Sequence, residues 1–248
     1  MSKKETISRL VDKYQSDIVK VNDTVWGFAE PGMKEYKTAE FYESFFKEKG
    51  FKVASGLADM PTAFIAEWGS GKPVVGFLGE FDALPTLSQE AACPEKKPIV
   101  PGAYGQGCGH NSLGAGAAGA ALAFRDYLEE NHLSGTVRFY GCPGEEYGSG
   151  KVFMARAGLY DDLDVCLTWH PGDMNKVSTT SSLANISVMF SFNGVSAHAA
   201  ANPYLGRSAL DAVELMNVGV NYLREHIIPE ARVHYAYVDA GGIAPNVV

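Results

Sequence analysis

The sequence has few cysteines, no excess of positive charge and no long apolar run. Its 248 residues include four cysteines, no two of which form a CxxC pair, and the net charge of −8 opposes binding to phosphate. The least polar stretch, residues 113–124, is too short to span a bilayer, and the polar start lacks a signal core. We therefore expect a cytoplasmic protein with reduced thiols that binds neither nucleic acid nor membrane.

Residue periodicity predicts an α/β protein with a mainly parallel sheet and flanking helices. Apolar residues recur at helical spacing over residues 7–25, and Ser2 followed by Glu5 is typical of a capping box. Further helices are predicted at residues 38–49, at 113–130 and after Gly144, and strands at 51–54, 62–68, 73–78, 136–140 and 164–169. Residues 80–111, rich in proline and glycine, form a loop whose length is typical of a functional segment.

The pattern changes near residue 184. Residues 184–192 alternate as a strand, residues 205–225 have the pattern of a long helix, and residues 232–238 are predicted as another strand. This β-α-β arrangement predicts the start of a second, α+β domain. We therefore expect a first domain at residues 1–183 and a second at residues 184–248.

Candidate ligands follow the predicted strands at their C-terminal ends, the edge where open α/β sheets bind ligands. Asp82 follows strand 73–78, where a carboxylate binds metal, orients a ligand histidine or caps a turn. Cys108 and His110 stand two residues apart among glycines, and a thiolate with an imidazole suits a borderline-soft divalent ion. The alternatives for this pair are a buried cysteine beside a helix-capping Asn111, or a cysteine nucleophile with a histidine base.

Two further clusters complete the set. Glu145 and Glu146 follow the strand at 136–140, and adjacent carboxylates point in different directions, so one can bind metal while the other takes a proton from water. The alternative is a pair of acids that stabilise a helix N-terminus. His170, beside a Pro-Gly turn, is either a ligand or a structural histidine. Together the clusters supply four ligands and a base at one sheet edge: Cys108, His110, Glu146 and His170 as ligands, and Glu145 as base.

The four clusters give the sequence a specific family resemblance. They read GEFDALP at 79–85, GCGHN at 107–111, PGEE at 143–146 and WHPG at 169–172. In this order and spacing they resemble the dinuclear aminoacylase and carboxypeptidase metallopeptidase family, particularly its cysteine-containing, aminobenzoyl-glutamate hydrolase-like amidohydrolases and related dipeptidases. The runs at 192–200, 206–212 and 241–248 are similar to that family's lid domain. The resemblance therefore covers nearly the whole chain.

This resemblance implies a metal-dependent amidohydrolase or peptidase that hydrolyses the amide bond of a small N-acyl amino acid or dipeptide. The family's two divalent ions would be zinc or manganese, with cobalt as a further option. Cys108 is implied to lie between the two ions, with His110, Glu146 and His170 as terminal ligands. The first domain then corresponds to the N-terminal part of the catalytic domain, and the second to a lid through which a homodimer forms.

The resemblance also implies roles for residues that do not bind the metals. Glu145 is implied to be general base and then general acid, and Asp82 to support the site from behind the ligands. His198, in the lid, would stabilise the tetrahedral oxyanion, often across a dimer interface. Asn246 would help to bind the carboxylate of the substrate.

One departure from the family pattern concerns the end of the site. In the family, the chain returns to the catalytic domain after the lid and supplies a further histidine ligand. The remaining histidines here, His132, His226 and His234, stand in no such motif. We therefore expect the N-terminal part of a longer enzyme, and the alternative function is a catalytically incomplete fragment that binds metal or dimerises.

A second alternative comes from a glycine pattern. Gly114, Gly116 and Gly119 match the dinucleotide fingerprint GxGxxG, which would indicate a nicotinamide-dependent oxidoreductase. No predicted strand runs directly into the pattern, and no acidic residue ends the next strand. These small residues are therefore better explained as a surface that lets a buried helix pack closely.

Overall fold

The computed structural model describes residues 2–179 and 181–242, in two compact units, Met1–Asn175 and Lys176–Val248. The boundary expected from the sequence, between residues 183 and 184, falls in a stretch whose described residues form neither helix nor strand before the isolated bridge at Val195. None of the described helices is both long enough and apolar enough to cross a membrane.

Three helices open the first unit: α1 (Lys3–Asp12), α2 (Gln15–Phe28) and α3 (Tyr36–Glu48). The predicted capping box begins α1, where the Ser2 hydroxyl and the Glu5 carboxylate each accept a backbone N–H from the other residue. The single helix predicted over residues 7–25 is divided at Tyr14. The buried Tyr14 hydroxyl donates to Asp126 Oδ2 (2.7 Å) and accepts from Arg125 Nη2 (2.6 Å). We attribute the division to this tertiary contact, which local periodicity does not encode.

A five-stranded sheet of order β1-β2-β4-β3-β5 lies within the first unit. Its strands are β1 (Lys52–Ser55), β2 (Phe64–Ser70), β3 (Val74–Gly79), β4 (Gly135–Gly141) and β5 (Val165–Leu167). The sheet is mixed rather than mainly parallel, because the short β1–β2 connection returns the chain antiparallel and β2 also pairs antiparallel with β4. Strands β4, β3 and β5 run parallel. Their carboxyl ends therefore share one edge.

Helix α4 (His110–Glu130) packs on β3 and β4 and against α1 and α2. Residues 80–109, which precede it, contain no helix or strand, as predicted for this loop, although isolated bridges pair Pro31 with Ala83 and Leu84 with Gly105. Two short helices follow β4, namely α5 (Glu145–Gly148) and α6 (Gly150–Arg156), and residues Leu57–Asp59 form a 3-10 turn. The loops after β3, β4 and β5 thus carry the predicted clusters.

An aromatic cluster fills the core beside this edge. The Phe81 ring is fully buried and lies 5.7 Å from the Tyr42 ring and 6.3 Å from the Phe64 ring, between ring centroids. Burial of one such side chain contributes about 1.5–3 kcal/mol to the free energy of folding. Because Phe81 stands between Glu80 and Asp82, its burial anchors the segment that presents both carboxylates.

The second unit contains helix α7 (Ala209–Leu223) and a 3-10 turn at Pro203–Leu205. Helix α7 lies within the helix predicted at 205–225, and the Ser208 hydroxyl caps it by accepting from the Asp211 N–H. The strands predicted at 184–192 and 232–238 are wrong, because the described residues there form no strand. A strand is stable only where a neighbour bonds its backbone N–H and C=O groups. The pairing that the structure describes in this unit is a single bridge between Val195 and Arg207.

Candidate metal centre

The three parallel strands bring the predicted clusters to one edge of the sheet. Asp82 follows β3, Glu145 and Glu146 follow β4, and His170 follows β5 after Leu167. The loop before α4 adds Cys108, and His110 is the first residue of α4. Six of the predicted site residues therefore meet at the carboxyl edge, where α/β sheets bind ligands.

His110 lies at the centre of this group and is fully buried. Its Nδ1 lies 2.9 Å from Asp82 Oδ1, and its Nε2 lies 3.1 Å from Glu80 Oε2 and 3.9 Å from Glu145 Oε2. Burial alone lowers the pKa of His110, but the hydrogen bond to Asp82 and the charges of Asp82 and Glu80 outweigh it and raise the pKa. Carboxylates that attract a proton to this imidazole attract a metal cation for the same electrostatic reason.

Cys108 and His170 form the second half of the cluster. Cys108 Sγ lies 3.3 Å from His170 Nε2, and His170 Nδ1 donates to the Pro171 carbonyl at 2.9 Å. This backbone bond turns Nε2 of His170 toward the thiol, as an outer partner turns a metal-binding histidine. The rings of His110 and His170 are 5.7 Å apart between centroids and nearly perpendicular.

The surroundings of Cys108 bear on whether it is a nucleophile. Burial, and then the hydrogen bond and charge of Glu146, raise the pKa of the Cys108 thiol to about 12. A nucleophilic cysteine needs an electropositive environment that lowers its pKa, and the carboxylates here do the opposite. The cysteine–histidine nucleophile is therefore disfavoured, whereas a site rich in carboxylates suits a thiolate bound to a cation.

The two adjacent glutamates differ in their surroundings. The Glu146 N–H donates to Asp82 Oδ2 at 2.9 Å, which fixes the backbone of the turn after β4. Burial and the charge of Glu80 raise the pKa of Glu145, whose side chain is partly exposed. A carboxylate with a raised pKa is suited to accept and return a proton near neutral pH.

Unpartnered buried atoms test whether this group fits a metal. His110 Nε2, Glu80 Oε2 and Glu146 Oε1 are buried without a hydrogen-bond partner among the residues that the structure describes. Such atoms are costly unless something else satisfies them. Two sets of ligand atoms lie within 4.8 Å of one another, Cys108–His110–His170 and Glu80–His110–Glu145. The donor types and the missing partners both fit divalent cations.

Sequence reasoning did not single out three residues of this region. Glu80 lies in the same motif as Asp82, and its other oxygen, Oε1, forms a close ion pair with Lys151 of α6. Glu35, fully buried, accepts the Gly144 N–H at 2.7 Å and the Thr62 hydroxyl at 2.9 Å. The acid two residues before Asp82 was a signal for Glu80, since alternate positions share a direction in extended chain. Glu35 and Lys151 carried no comparable signal.

The structure does not test two of the predicted site residues. His198 belongs to the second unit, where it is exposed and its Nδ1 accepts the N–H groups of Ala200 and Ala201, both at 3.2 Å. Asn246 lies outside the described residues. Their roles stay predictions.

The glycine pattern that suggests a dinucleotide site lies inside helix α4. A Cβ on Gly114 would overlap the Tyr42 hydroxyl, and one on Gly116 would meet the Trp169 ring at 2.8 Å. A dinucleotide fingerprint needs its glycines in a turn between strand and helix. These glycines serve close packing instead, which contradicts the oxidoreductase alternative.

Comparison with known proteins gives one matching family model and several relatives. A model of the peptidase family M20/M25/M40 matches residues 76–238. The chain is 52% identical over 228 residues to a p-aminobenzoyl-glutamate hydrolase subunit of Escherichia coli (strain K12), across 92% of this chain and 47% of that protein. It is 29% identical over 258 residues to Xaa-Arg dipeptidase of Mus musculus, across 99% of this chain and 55% of that protein. The chain thus spans about half the length of these relatives.

A solved structure shows the same fold. A putative aminohydrolase from methicillin resistant Staphylococcus aureus superposes with a TM-score of 0.58 at 18% sequence identity, over 91% of this chain and 58% of that chain. At this identity the likeness concerns the fold alone.

Proposed function

The chain belongs to the peptidase family M20/M25/M40, and from that premise we propose that it carries most of the metal site of a metal-dependent amidohydrolase. The reaction is hydrolysis of the amide bond of a small N-acyl amino acid or dipeptide. The observation that carries the proposal is the group of buried, unpartnered ligand atoms around His110 at the carboxyl edge of the sheet. An amidohydrolase of this kind needs such a group to hold its cations.

The residues that would hold two divalent ions are Cys108, His110, Glu146 and His170. Zinc, manganese and cobalt all accept this mixture of thiolate, imidazole and carboxylate. Divalent ions at such a site acidify a water molecule and polarise the carbonyl group of a substrate. Asp82 keeps Nδ1 of His110 occupied, which leaves Nε2 free as a ligand atom.

Proton transfer would fall to Glu145. Its carboxylate lies 3.9 Å from His110 Nε2, within reach of the same space as the ligands, and its raised pKa favours uptake of a proton from water. The same group would then return that proton to the leaving nitrogen of the amide. His198 would donate a hydrogen bond to the oxyanion, and Asn246 would bind the carboxylate of the substrate.

The substrate class is proposed from the relatives. One is part of a p-aminobenzoyl-glutamate hydrolase and another is an Xaa-Arg dipeptidase. Both names describe amides in which an amino acid is joined to a small partner. We therefore propose p-aminobenzoyl-glutamate and small dipeptides as the first substrates to test.

The second unit is proposed to be the start of a lid through which two copies dimerise. The domain division at 183/184, the homodimer and a cytoplasmic location stay predictions from the sequence. The competing proposal is a catalytically incomplete piece that binds metal or dimerises without turning over substrate. It is supported by the observation that the chain spans about half the length of these relatives.

Metal content is the first test. Elemental analysis of protein purified without chelator should give one to two equivalents of divalent metal per chain. Cys108→Ser should lose much of it, whereas Cys93→Ser, a cysteine of the loop that lies outside the cluster, should not. Well-folded chain without metal in every preparation would refute the proposal.

Turnover separates the two candidates. Hydrolysis of p-aminobenzoyl-glutamate and dipeptides is measured with and without added Zn²⁺ or Mn²⁺. Glu145→Gln should keep the bound metal but lower kcat by about 10²–10⁴-fold, because proton transfer is removed. Glu129→Gln, exposed on α4, is the matched control. Metal without turnover in the parent chain favours the incomplete piece, and undiminished turnover in Glu145→Gln contradicts its role as base.

A further inference from the structure

We infer that Glu80 is a direct carboxylate ligand of one cation at this site, together with His110. The inference rests on the proposed function, since it requires that the cluster hold a metal. It adds a ligand to the four that the sequence motifs predict. It also assigns a purpose to the buried oxygen Oε2 of Glu80, which has no hydrogen-bond partner among the described residues.

The first argument is the lack of a hydrogen bond at close range. Glu80 Oε2 lies 3.1 Å from His110 Nε2, yet neither atom has a hydrogen-bond partner among the described residues, and both are buried. Two buried polar atoms that face each other without a hydrogen bond are costly unless a third group satisfies both. A cation bound by Glu80 Oε2 and His110 Nε2 would satisfy both atoms at once.

The second argument is the distance itself. Bonds of about 2.0–2.2 Å from zinc to nitrogen and oxygen, at a tetrahedral angle, separate two ligand atoms by roughly 3.3 Å. The observed 3.1 Å between Glu80 Oε2 and His110 Nε2 is close to that value. Glu145 Oε2 is farther from Nε2, at 3.9 Å, which suits a residue that acts on the water rather than on the metal.

The third argument is the arrangement of the two oxygens of Glu80. Its side chain is only 8% exposed, and Oε1 is paired with the Lys151 ammonium. Lys151 therefore occupies one oxygen, and the other, Oε2, faces Nε2 of His110. The competing explanation is that Glu80 serves only to bury the Lys151 ion pair.

The test compares three variants of the chain by metal affinity. Glu80→Gln keeps the shape but removes the charge, and Lys151→Met removes the ion pair but keeps the carboxylate. Glu67→Gln is the matched control, since Glu67 pairs with Arg138 on the sheet away from the cluster. Zn²⁺ affinity is measured by competition with a chelator, and the visible spectrum of Co²⁺-loaded chain reports the coordination. Circular dichroism checks folding.

The expected result is a Zn²⁺ affinity at least about tenfold lower in Glu80→Gln with a changed Co²⁺ spectrum. Lys151→Met and Glu67→Gln should stay within about threefold of the parent, which corresponds to less than the 1.4 kcal/mol of a tenfold change. An unaltered affinity and spectrum in Glu80→Gln overturns the inference, as does an equal loss in Lys151→Met. If Glu80→Gln fails to fold, Glu80→Asp, which withdraws the oxygen from the cation, should show the same weakening.

These outcomes separate the two proposals. Parent chain that binds no metal refutes the proposed function and the inference with it. Parent chain that binds metal, with Glu80→Gln binding equally well, refutes the inference alone.

Discussion

Asp82 joins two parts of the candidate site through a single carboxylate. One oxygen accepts from His110 Nδ1 and the other from the Glu146 N–H, both at 2.9 Å. Both partners are donors, and only a carboxylate can accept both at once. Asp82 is also 1% exposed, so water cannot substitute for either bond. Asp82 therefore fixes two things at once: which ring nitrogen of His110 is available as a ligand atom, and the position of the turn after β4.

We predict that Asp82→Asn lowers Zn²⁺ affinity by about 10–100-fold while the chain stays folded. An amide has one acceptor and one donor end, so it must lose the Glu146 bond or donate to His110 Nδ1. In the second case the ring proton moves to Nε2, which then cannot bind metal. Chelator competition measures the affinity, with the exposed Asp12→Asn of α1 as control. Equal affinity in Asp82→Asn and Asp12→Asn would show that Asp82 does not orient the ligand.

At the scale of elements, α4 and the segment after β5 approach each other closely because residue 116 has no side chain. A Cβ there would lie 2.8 Å from the Trp169 ring, whose Nε1 donates to the Leu113 carbonyl at 3.0 Å. Trp169 precedes His170, so a displaced ring displaces the histidine. Packing of α4 and placement of a candidate ligand therefore depend on the same contact.

We predict that Gly116→Ala lowers the free energy of unfolding by about 1–3 kcal/mol, because the ring and helix must separate. Zn²⁺ affinity should fall as well, since His170 moves with Trp169. Gly27→Ala is the control: a Cβ at this α2 position meets nothing within 4 Å, so the substitution should stabilise the helix by about 0.5–1 kcal/mol. Urea titration and chelator competition measure the two effects. A free energy of unfolding that is higher in Gly116→Ala than in the parent would mean that residue 116 and the Trp169 ring are not closely packed.

Glu35 connects α3 to the turn that carries Glu145, and its titration should be visible in stability. Burial raises the pKa of Glu35, partly offset by the backbone N–H groups, including that of Gly144, and the Thr62 hydroxyl. Because the pKa of Glu35 in the folded state is above the ordinary value of 4.5, the neutral carboxyl group stabilises the fold. This contribution to the free energy of unfolding is fully present below pH 4.5 and is lost as the pH rises through the folded-state pKa.

We predict that Glu35→Gln abolishes the loss of stability that accompanies the ionisation of Glu35 as the pH rises. Glutamine stays neutral, accepts from the Gly144 N–H and donates to the Thr62 hydroxyl, so both contacts survive. The Tm of Glu35→Gln relative to the parent should therefore increase between acid and neutral pH. Glu40→Gln, exposed on the same helix, should follow the parent at every pH. A difference in Tm between Glu35→Gln and the parent that stays constant with pH would contradict the raised pKa of Glu35.

Elements with strong local signals could be predicted from the sequence. The capping residues Ser2 and Glu5 begin α1 as predicted, and the apolar periodicity gives α3, α4 and the strands of the first unit to within a few residues. Features set by distant contacts could not. The break at Tyr14 depends on Asp126 and Arg125, more than a hundred residues away, and the strand predicted at 184–192 has no pairing partner among the described residues.

The candidate site shows the same limit. Cys108, His110, Glu146 and His170 could be chosen because each follows a predicted strand or starts a helix in a motif with a distinctive residue type. Glu80 could not be separated from Asp82 without the structure. Both acids stand in one motif, and only their different partners, Lys151 and His110 Nδ1, assign them different tasks.

At the scale of the whole molecule, the candidate ligands come from segments that only the folded sheet brings together. Glu80, Glu146 and His170 follow three different strands and His110 begins a helix, so an unfolded chain offers no such cluster. A cation that binds only the native state stabilises it in proportion to its affinity. Metal binding and folding of the first unit should therefore be coupled.

The tryptophans allow this coupling to be measured in the first unit alone. All three, Trp26, Trp68 and Trp169, belong to the unit Met1–Asn175. At free Zn²⁺ about 100-fold above its Kd, the free energy of unfolding followed by tryptophan fluorescence in urea should rise by about 2.7 kcal/mol. Cys108→Ser should abolish most of the rise, and Cys93→Ser should retain it. A midpoint that does not respond to Zn²⁺ in the parent chain would mean that no native-state metal site exists in this unit.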